Sequence, residues 1–140
     1  MTTEQEQKQF NDYAKFVIST TSDESLHTIA LISRLHTLQE KTKIEFPQLL
    51  TASIGMQAES GEFSEVIKKI IFQGKEYNED ERFHLKRELG DIMWYMAQAC
   101  MALDTTFDEI LEMNYEKLSA RFPEGAFDVY RSENRVVGDV

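Results

Sequence analysis

The sequence predicts an all-α protein, a bundle of about five helices. Three observations carry that expectation. Apolar residues recur at helical spacing along most of the chain. Only two prolines and six glycines interrupt 140 residues. No segment alternates apolar and polar residues at period two, so no sheet is expected.

The elements follow in order. Phe10, Tyr13 and Val17 recur at i, i+3 and i+7, which places a first helix ending near Ser19 to Ser22. Thr21 followed by Glu24 reads as a capping box, a reciprocal pair that satisfies free amides at a helix start. Behind it Leu26, Ile29, Ile32, Leu35 and Leu38 form an apolar stripe, giving a second helix to about Gln39. Pro47 suits the first turn of a third helix, where its missing N–H costs nothing, and Gly74 suits the stop after Gln73. Asn78 with Glu81 opens a fourth helix, with Leu85, Leu89, Ile92, Met96, Ala99 and Leu103 on one face. Thr106 with Glu109 opens a fifth, which stops before Pro123. The expected organisation is one domain over residues 1–140. It has a helical lead at 1–46, a helical core at 47–123 and an extended tail at 124–140.

Composition excludes several function classes. Nine Phe, five Tyr and a hydrophobic fraction of 41% argue against disorder. A net charge of −10 disfavours duplex nucleic acid and anionic membrane as partners. The longest uninterrupted apolar run, Ile92 to Ala97, is far too short to span a bilayer. The segment from Met1 to Phe10 is polar and has no signal-peptide character, so the expected location is cytoplasmic. A single cysteine, Cys100, excludes an intrachain disulfide framework and is read as a small buried hydrophobe.

Two stretches carry chemistry. Glu59 and Glu62 are three apart and share a helix face with Gly55, Ala58 and Val66. Glu88 and Asp91 repeat that spacing beside Leu85, Leu89, Ile92 and Tyr95. Carboxylates on apolar faces are costly without a partner, because water is lost. Two like charges ~5 Å apart at an effective dielectric of ~20 repel by roughly 3 kcal/mol. A hard divalent cation resolves both problems, and Mg²⁺ prefers oxygen ligands that it shares with substrate phosphates. Spacing alone leaves this reading level with the bland one, two solvated acidic faces.

The pattern also resembles a known family. The segment from Glu59 through Ser60 and Gly61 to Glu62 comes first, and the one from Glu88 to Tyr95 second. The third runs from Asn114 through Lys117 and Arg121 to Pro123. Together these are similar to the MazG-type nucleotide pyrophosphohydrolases, over about residues 47 to 128. The resemblance implies Glu59, Glu62, Glu88 and Asp91 as metal ligands and catalytic groups. It implies Asn114, Lys117 and Arg121 as contacts to substrate phosphate. It further implies Mg²⁺, with Mn²⁺ able to substitute, and hydrolysis of an NTP or dNTP to the monophosphate and pyrophosphate. A homo-oligomer, dimer or tetramer, goes with it. Two features depart from the usual pattern. Ala58 stands where many members have a further acid, and the lead over residues 20 to 46 is long. That lead and the tail from Tyr130 to Arg135 resemble phage-encoded members, which would place the protein in the host cytoplasm.

Further residues have two readings each. Lys117 and Arg121 are four apart on one face, suited to clamp outer phosphates or to form an ordinary surface ladder. Glu65 lies one turn beyond Glu62, at the edge of the site or at the surface. Lys69 could neutralise a phosphate or pair with Glu65 at i,i+4. Trp94 could wall a nucleobase or pack in a core or an oligomer contact. His27, His36 and His84 match no compact ligand spacing and are read as structural or surface groups. A carboxylate-bridged di-iron bundle would want Glu-x-x-His pairs at its site, and none of Glu59, Glu62 and Glu88 has a histidine three residues later. The remaining alternative is a non-catalytic helical interaction module whose acidic pairs are surface features.

Overall fold

The computed structural model describes residues 3–134, apart from the side chain of Glu4. The described residues form seven α-helices and no strand. They divide into two compact units that meet in sequence at Phe46 and Pro47. Arg135, expected in the tail, lies outside the described residues.

The first unit holds α1 (Thr3–Thr20), α2 (Asp23–Leu26) and α3 (Thr28–Lys41). Hydroxyls close α1: Ser19 Oγ donates to the Phe16 carbonyl at 2.8 Å and Thr21 Oγ1 to the Val17 carbonyl at 2.6 Å. This corrects the expected capping box at Thr21. Its hydroxyl is spent on the preceding helix, and Ser22 becomes the N-cap of α2, its hydroxyl meeting that of Ser25 at 3.3 Å and capping no backbone N–H. The single second helix expected to Gln39 is also two. His27 takes an extended conformation, φ −128° and ψ 115°, ending α2 and starting α3.

The second unit holds α4 (Phe46–Gln73), α5 (Glu79–Ala102), α6 (Phe107–Arg121) and α7 (Val129–Glu133). Pro47 lies in the first turn of α4, and Gly74 follows its end at φ +70°, with the Lys75 N–H closing on the Lys69 carbonyl at 3.1 Å. Asn78 caps α5, accepting from the N–H groups of Asp80 and Glu81. The far end of α5 is a Schellman motif. The Thr105 N–H reaches the Cys100 carbonyl at 3.0 Å, and Asp104 supplies the left-handed residue at φ 55°. Thr106 then caps α6, its hydroxyl accepting from the Glu109 N–H at 3.2 Å. The region expected as an extended tail contains α7. The Asp128 carboxylate accepts from the Arg131 N–H at 2.8 Å, the local bond that makes a short helical turn possible there.

α4 and α5 run antiparallel, because their contacts pair rising with falling residue numbers. Gln48 Nε2 donates to Gln98 Oε1 at 2.9 Å, Gly55 faces Tyr95, and Glu59 approaches Asp91 and Glu88. Ala52, Gly55 and Val66 are buried on α4, and Ala102 on α5. Two carboxylates, Glu81 and Glu88, are buried on α5 as well. The apolar stripe expected on α5 is only partly covered, since Leu85, Ile92, Met96 and Ala99 are half-buried while Leu89 and Leu103 are exposed.

At Gly55 the Tyr95 ring lies directly against α4. A Cβ built there would overlap Cδ1, Cε1 and Cζ of the Tyr95 ring. The missing side chain lets the ring lie against the α4 backbone, one turn from Glu59 on α4 and from Asp91 on α5. Gly55→Ala is therefore expected to destabilise the protein by about 1–3 kcal/mol through overpacking, despite the better helix propensity of Ala. Urea unfolding checks this, and adding Tyr95→Ala should recover part of the loss. Equal stability of Gly55→Ala and the parent chain would show that the seam has room to spare.

Candidate metal centre

The seam between α4 and α5 brings acids together. One carboxylate oxygen each from Glu59, Glu88 and Asp91 lies within 4.8 Å of the other two. Glu88 is buried, Glu59 half-buried and Asp91 exposed, so the cluster runs from the seam to the surface. Each residue is placed by its helix: Glu59 sits one turn beyond Gly55, and Glu88 and Asp91 are one turn apart on the facing helix.

The electrostatics are those of a crowded anionic site. Desolvation, followed by the negative charges of Glu62, Asp91 and Glu88, raises the Glu59 carboxyl above its ordinary 4.5. Glu62 is thus near enough to act on Glu59, but it is exposed and does not belong to the converging group of three. The donor set is all oxygen, which suits a hard divalent cation. With Mg–O bonds of about 2.1 Å, ligand oxygens around one ion lie roughly 3–4 Å apart, so small side-chain movements would bring the three into register.

The other residues singled out in the sequence are placed differently. Asn114 and Lys117 are exposed on α6, and Arg121 is half-buried at its end; none belongs to the converging group. Glu65 is held by Lys68 and by Lys69, whose Nζ lies 3.3 Å from Glu65 Oε1. Hydrogen bonds from Lys68 and then Lys69 push the Glu65 carboxyl below its ordinary range. Lys69 thus makes the i,i+4 pair with Glu65. Trp94 is 56% exposed and packs edge-on against Tyr95, with ring centroids 4.8 Å apart.

One contact went unread in the sequence. His84 Nε2 lies 2.9 Å from Glu88 Oε1. Its signal was there: His84 stands four residues before Glu88, one turn back on the same helix face. Spacing among the histidines alone does not reveal it, because its partner is a carboxylate. A second buried acid, Glu81, meets Lys75 at 2.7 Å across the turn between α4 and α5.

Comparison with known proteins places this geometry. Residues 48–126 match the model of the MazG nucleotide pyrophosphohydrolase domain, a segment that includes Glu59, Glu62, Glu88 and Asp91. The chain is similar to the gene 37 protein of Mycobacterium phage L5, 35% identical over 75 residues, which are 52% of this chain and 65% of that protein. The chain thus spans slightly less than two thirds of that relative's length. No solved structure matches. With more than half of its residues in the matched segment, the chain belongs to the MazG nucleotide pyrophosphohydrolase family.

Proposed function

We propose that this protein hydrolyses a nucleoside or deoxynucleoside triphosphate to the monophosphate and pyrophosphate, using Mg²⁺, with Mn²⁺ able to substitute. The observation that carries the reading is the convergence of Glu59, Glu88 and Asp91 inside the segment that matches the family. Glu59, Glu62, Glu88 and Asp91 would hold the metal. The bound ion supplies positive charge to the phosphate oxygens and acidifies water at neutral pH. Lys117 and Arg121, with Asn114 beside them, would hold the outer phosphates and take up the charge that develops on the leaving pyrophosphate.

The decisive assay offers the purified protein a panel of NTPs and dNTPs with and without Mg²⁺, and identifies the products. Equal amounts of monophosphate and pyrophosphate are expected, with a diphosphate a poor substrate. Glu62→Gln and Asp91→Asn should abolish turnover in a folded protein. Lys117→Met and Arg121→Met should each lower kcat/KM by roughly 10²-fold, about 3 kcal/mol. Orthophosphate with accumulating diphosphate would contradict the reaction. Absence of turnover together with no response to metal would leave the non-catalytic interaction module standing.

The raised Glu59 carboxyl makes a separate prediction, with a definite sign. An acid whose folded pKa is raised stabilises the fold fully below its unfolded value, and that contribution disappears as pH rises through the folded value. In metal-free protein, Glu59→Gln should therefore raise the melting temperature relative to the parent at pH 7, and the difference should vanish below about pH 4. Mg²⁺ or Mn²⁺ should raise the melting temperature of the parent by mass action, more at pH 7 than at pH 5. Thermal melts in chelator and in metal across pH 4–8 test both signs. A parent chain indifferent to divalent ions would remove the metal centre.

Assembly is part of the proposal. Every residue from Asp108 to Ala120 on α6 is exposed, including Ile110, Leu111, Met113, Tyr115 and Leu118. A 15-residue helix is marginal in water without a packed face. Trp94 is also exposed, and Phe63 is half-buried. A dimer or tetramer with substrate sites near subunit boundaries would cover such surface, and the phage relative suggests the host cytoplasm as the location. Light scattering should give two or four times the mass of 16.3 kDa. A fully active monomer would count against this assembly.

A further inference from the structure

The buried carboxylate of the cluster has a neighbour that none of the ligand positions accounts for. His84 Nε2 lies 2.9 Å from Glu88 Oε1, an ion-pair contact that a small turn of the ring would align as a hydrogen bond, and the His84 side chain is 47% exposed while that of Glu88 is 8% exposed. His84 is outside the group whose oxygens converge. His84, Glu88 and Asp91 follow one another at i, i+4 and i+7, so imidazole, buried carboxylate and exposed carboxylate line one face of α5.

We propose that His84 is a positioning residue for the metal centre: it donates Nε2–H to Glu88 Oε1 and fixes the direction in which that carboxylate is presented to the ion. The role rests on the metal-centre reading above. Both the neutral Nε2–H form and the imidazolium can make this donation, so the role does not depend on which is present. A glutamate has three rotatable side-chain bonds, and immobilising them costs entropy each time a metal binds. A hydrogen bond made beforehand removes part of that cost. Partners of this kind behind metal ligands are typically worth 10–100-fold in affinity.

The plain alternative is an i,i+4 pair that only stabilises the helix. Two features disfavour it. A basic group preceding its acid by four residues is the weaker orientation for helix stability. His84 also lies in the N-terminal half of α5, away from the C-terminal end where the helix dipole favours a cation. A helix-stabilising pair would moreover have no reason to place its acid in the buried seam between α4 and α5.

The test is Mn²⁺ binding without nucleotide, followed by electron paramagnetic resonance of the free ion, on full-length protein. His84→Ala should weaken Mn²⁺ binding by about 10-fold or more. His84→Gln, whose amide N–H₂ can reach the same oxygen, should return it to within about 3-fold of the parent, and circular dichroism should show equal helix content in all three proteins. Unchanged Mn²⁺ affinity in His84→Ala overturns the role. So does His84→Gln behaving like His84→Ala, because the donated hydrogen would then not be what matters. A parent chain that binds no Mn²⁺ overturns the metal centre and this role with it. A parent that binds Mn²⁺ but cleaves no nucleotide overturns the proposed hydrolysis alone, and the affinities still decide the case for His84.

Discussion

Close packing of α4 against α5 at Gly55 and Tyr95 is the constraint on which the rest depends. Because no Cβ stands at Gly55, the Tyr95 ring can lie against the backbone of α4. The next turn of each helix then has to bring Glu59 towards Asp91 and Glu88. Two rigid helices in contact leave little freedom one turn away. Geometry that is favourable for apolar packing thus enforces geometry that is unfavourable for charge. The fully buried apolar side chains among the described residues are few and small, Ala52, Val66 and Ala102. Burying one valine stabilises by only about 1.5–3 kcal/mol, so the seam has little reserve against repulsion. A cation bound there would link the stability of the helix pair to the proposed chemistry of the site.

The acids of the second unit illustrate how differently a protein can satisfy a carboxylate. Glu65 is exposed to two lysines of its own helix, and its charge is neutralised locally. Glu81 is buried, with one oxygen on Lys75 across the turn and Oε2 without a hydrogen-bond partner. Glu59, Glu88 and Asp91 instead face one another. The first two arrangements answer charge with a lysine from the chain itself. The third leaves negative potential concentrated at one place, and that concentration is what distinguishes a cation site from the acidic surface of a chain with net charge −10.

The exposure of α6 bears on how an acidic protein handles an anionic substrate. Long-range attraction works against triphosphate binding on a surface of this charge. On the proposed reading local cations would act at short range, and Lys117 and Arg121 lie on a helix whose apolar residues are themselves exposed. If a second copy covered those apolar groups, it would also set where the two cations stand relative to the carboxylates, and the proposed assembly and the proposed substrate binding would be one problem.

By itself the sequence determined the helix class, because apolar periodicity and scarce helix breakers are local properties that each turn of chain carries. It determined most helix ends of the second unit for the same reason: Pro47, Gly74, Asn78 and Thr106 act through backbone groups only a few residues away. It also marked the two acid pairs, since three-residue spacing puts groups on one face wherever the helix goes. Local rules failed where one side chain had two local uses. The Thr21 hydroxyl bonded backwards to Val17 in place of capping forwards, and His27 split a helix that periodicity read as continuous. Only tertiary structure decided which acids converge. Glu59 and Glu62 are equivalent in sequence, but the crossing of α4 and α5 turns Glu59 into the cluster and leaves Glu62 at its edge. Burial likewise set the surroundings of His84, whose exposed imidazole meets in Glu88 a carboxylate lying in the seam between two helices distant in sequence.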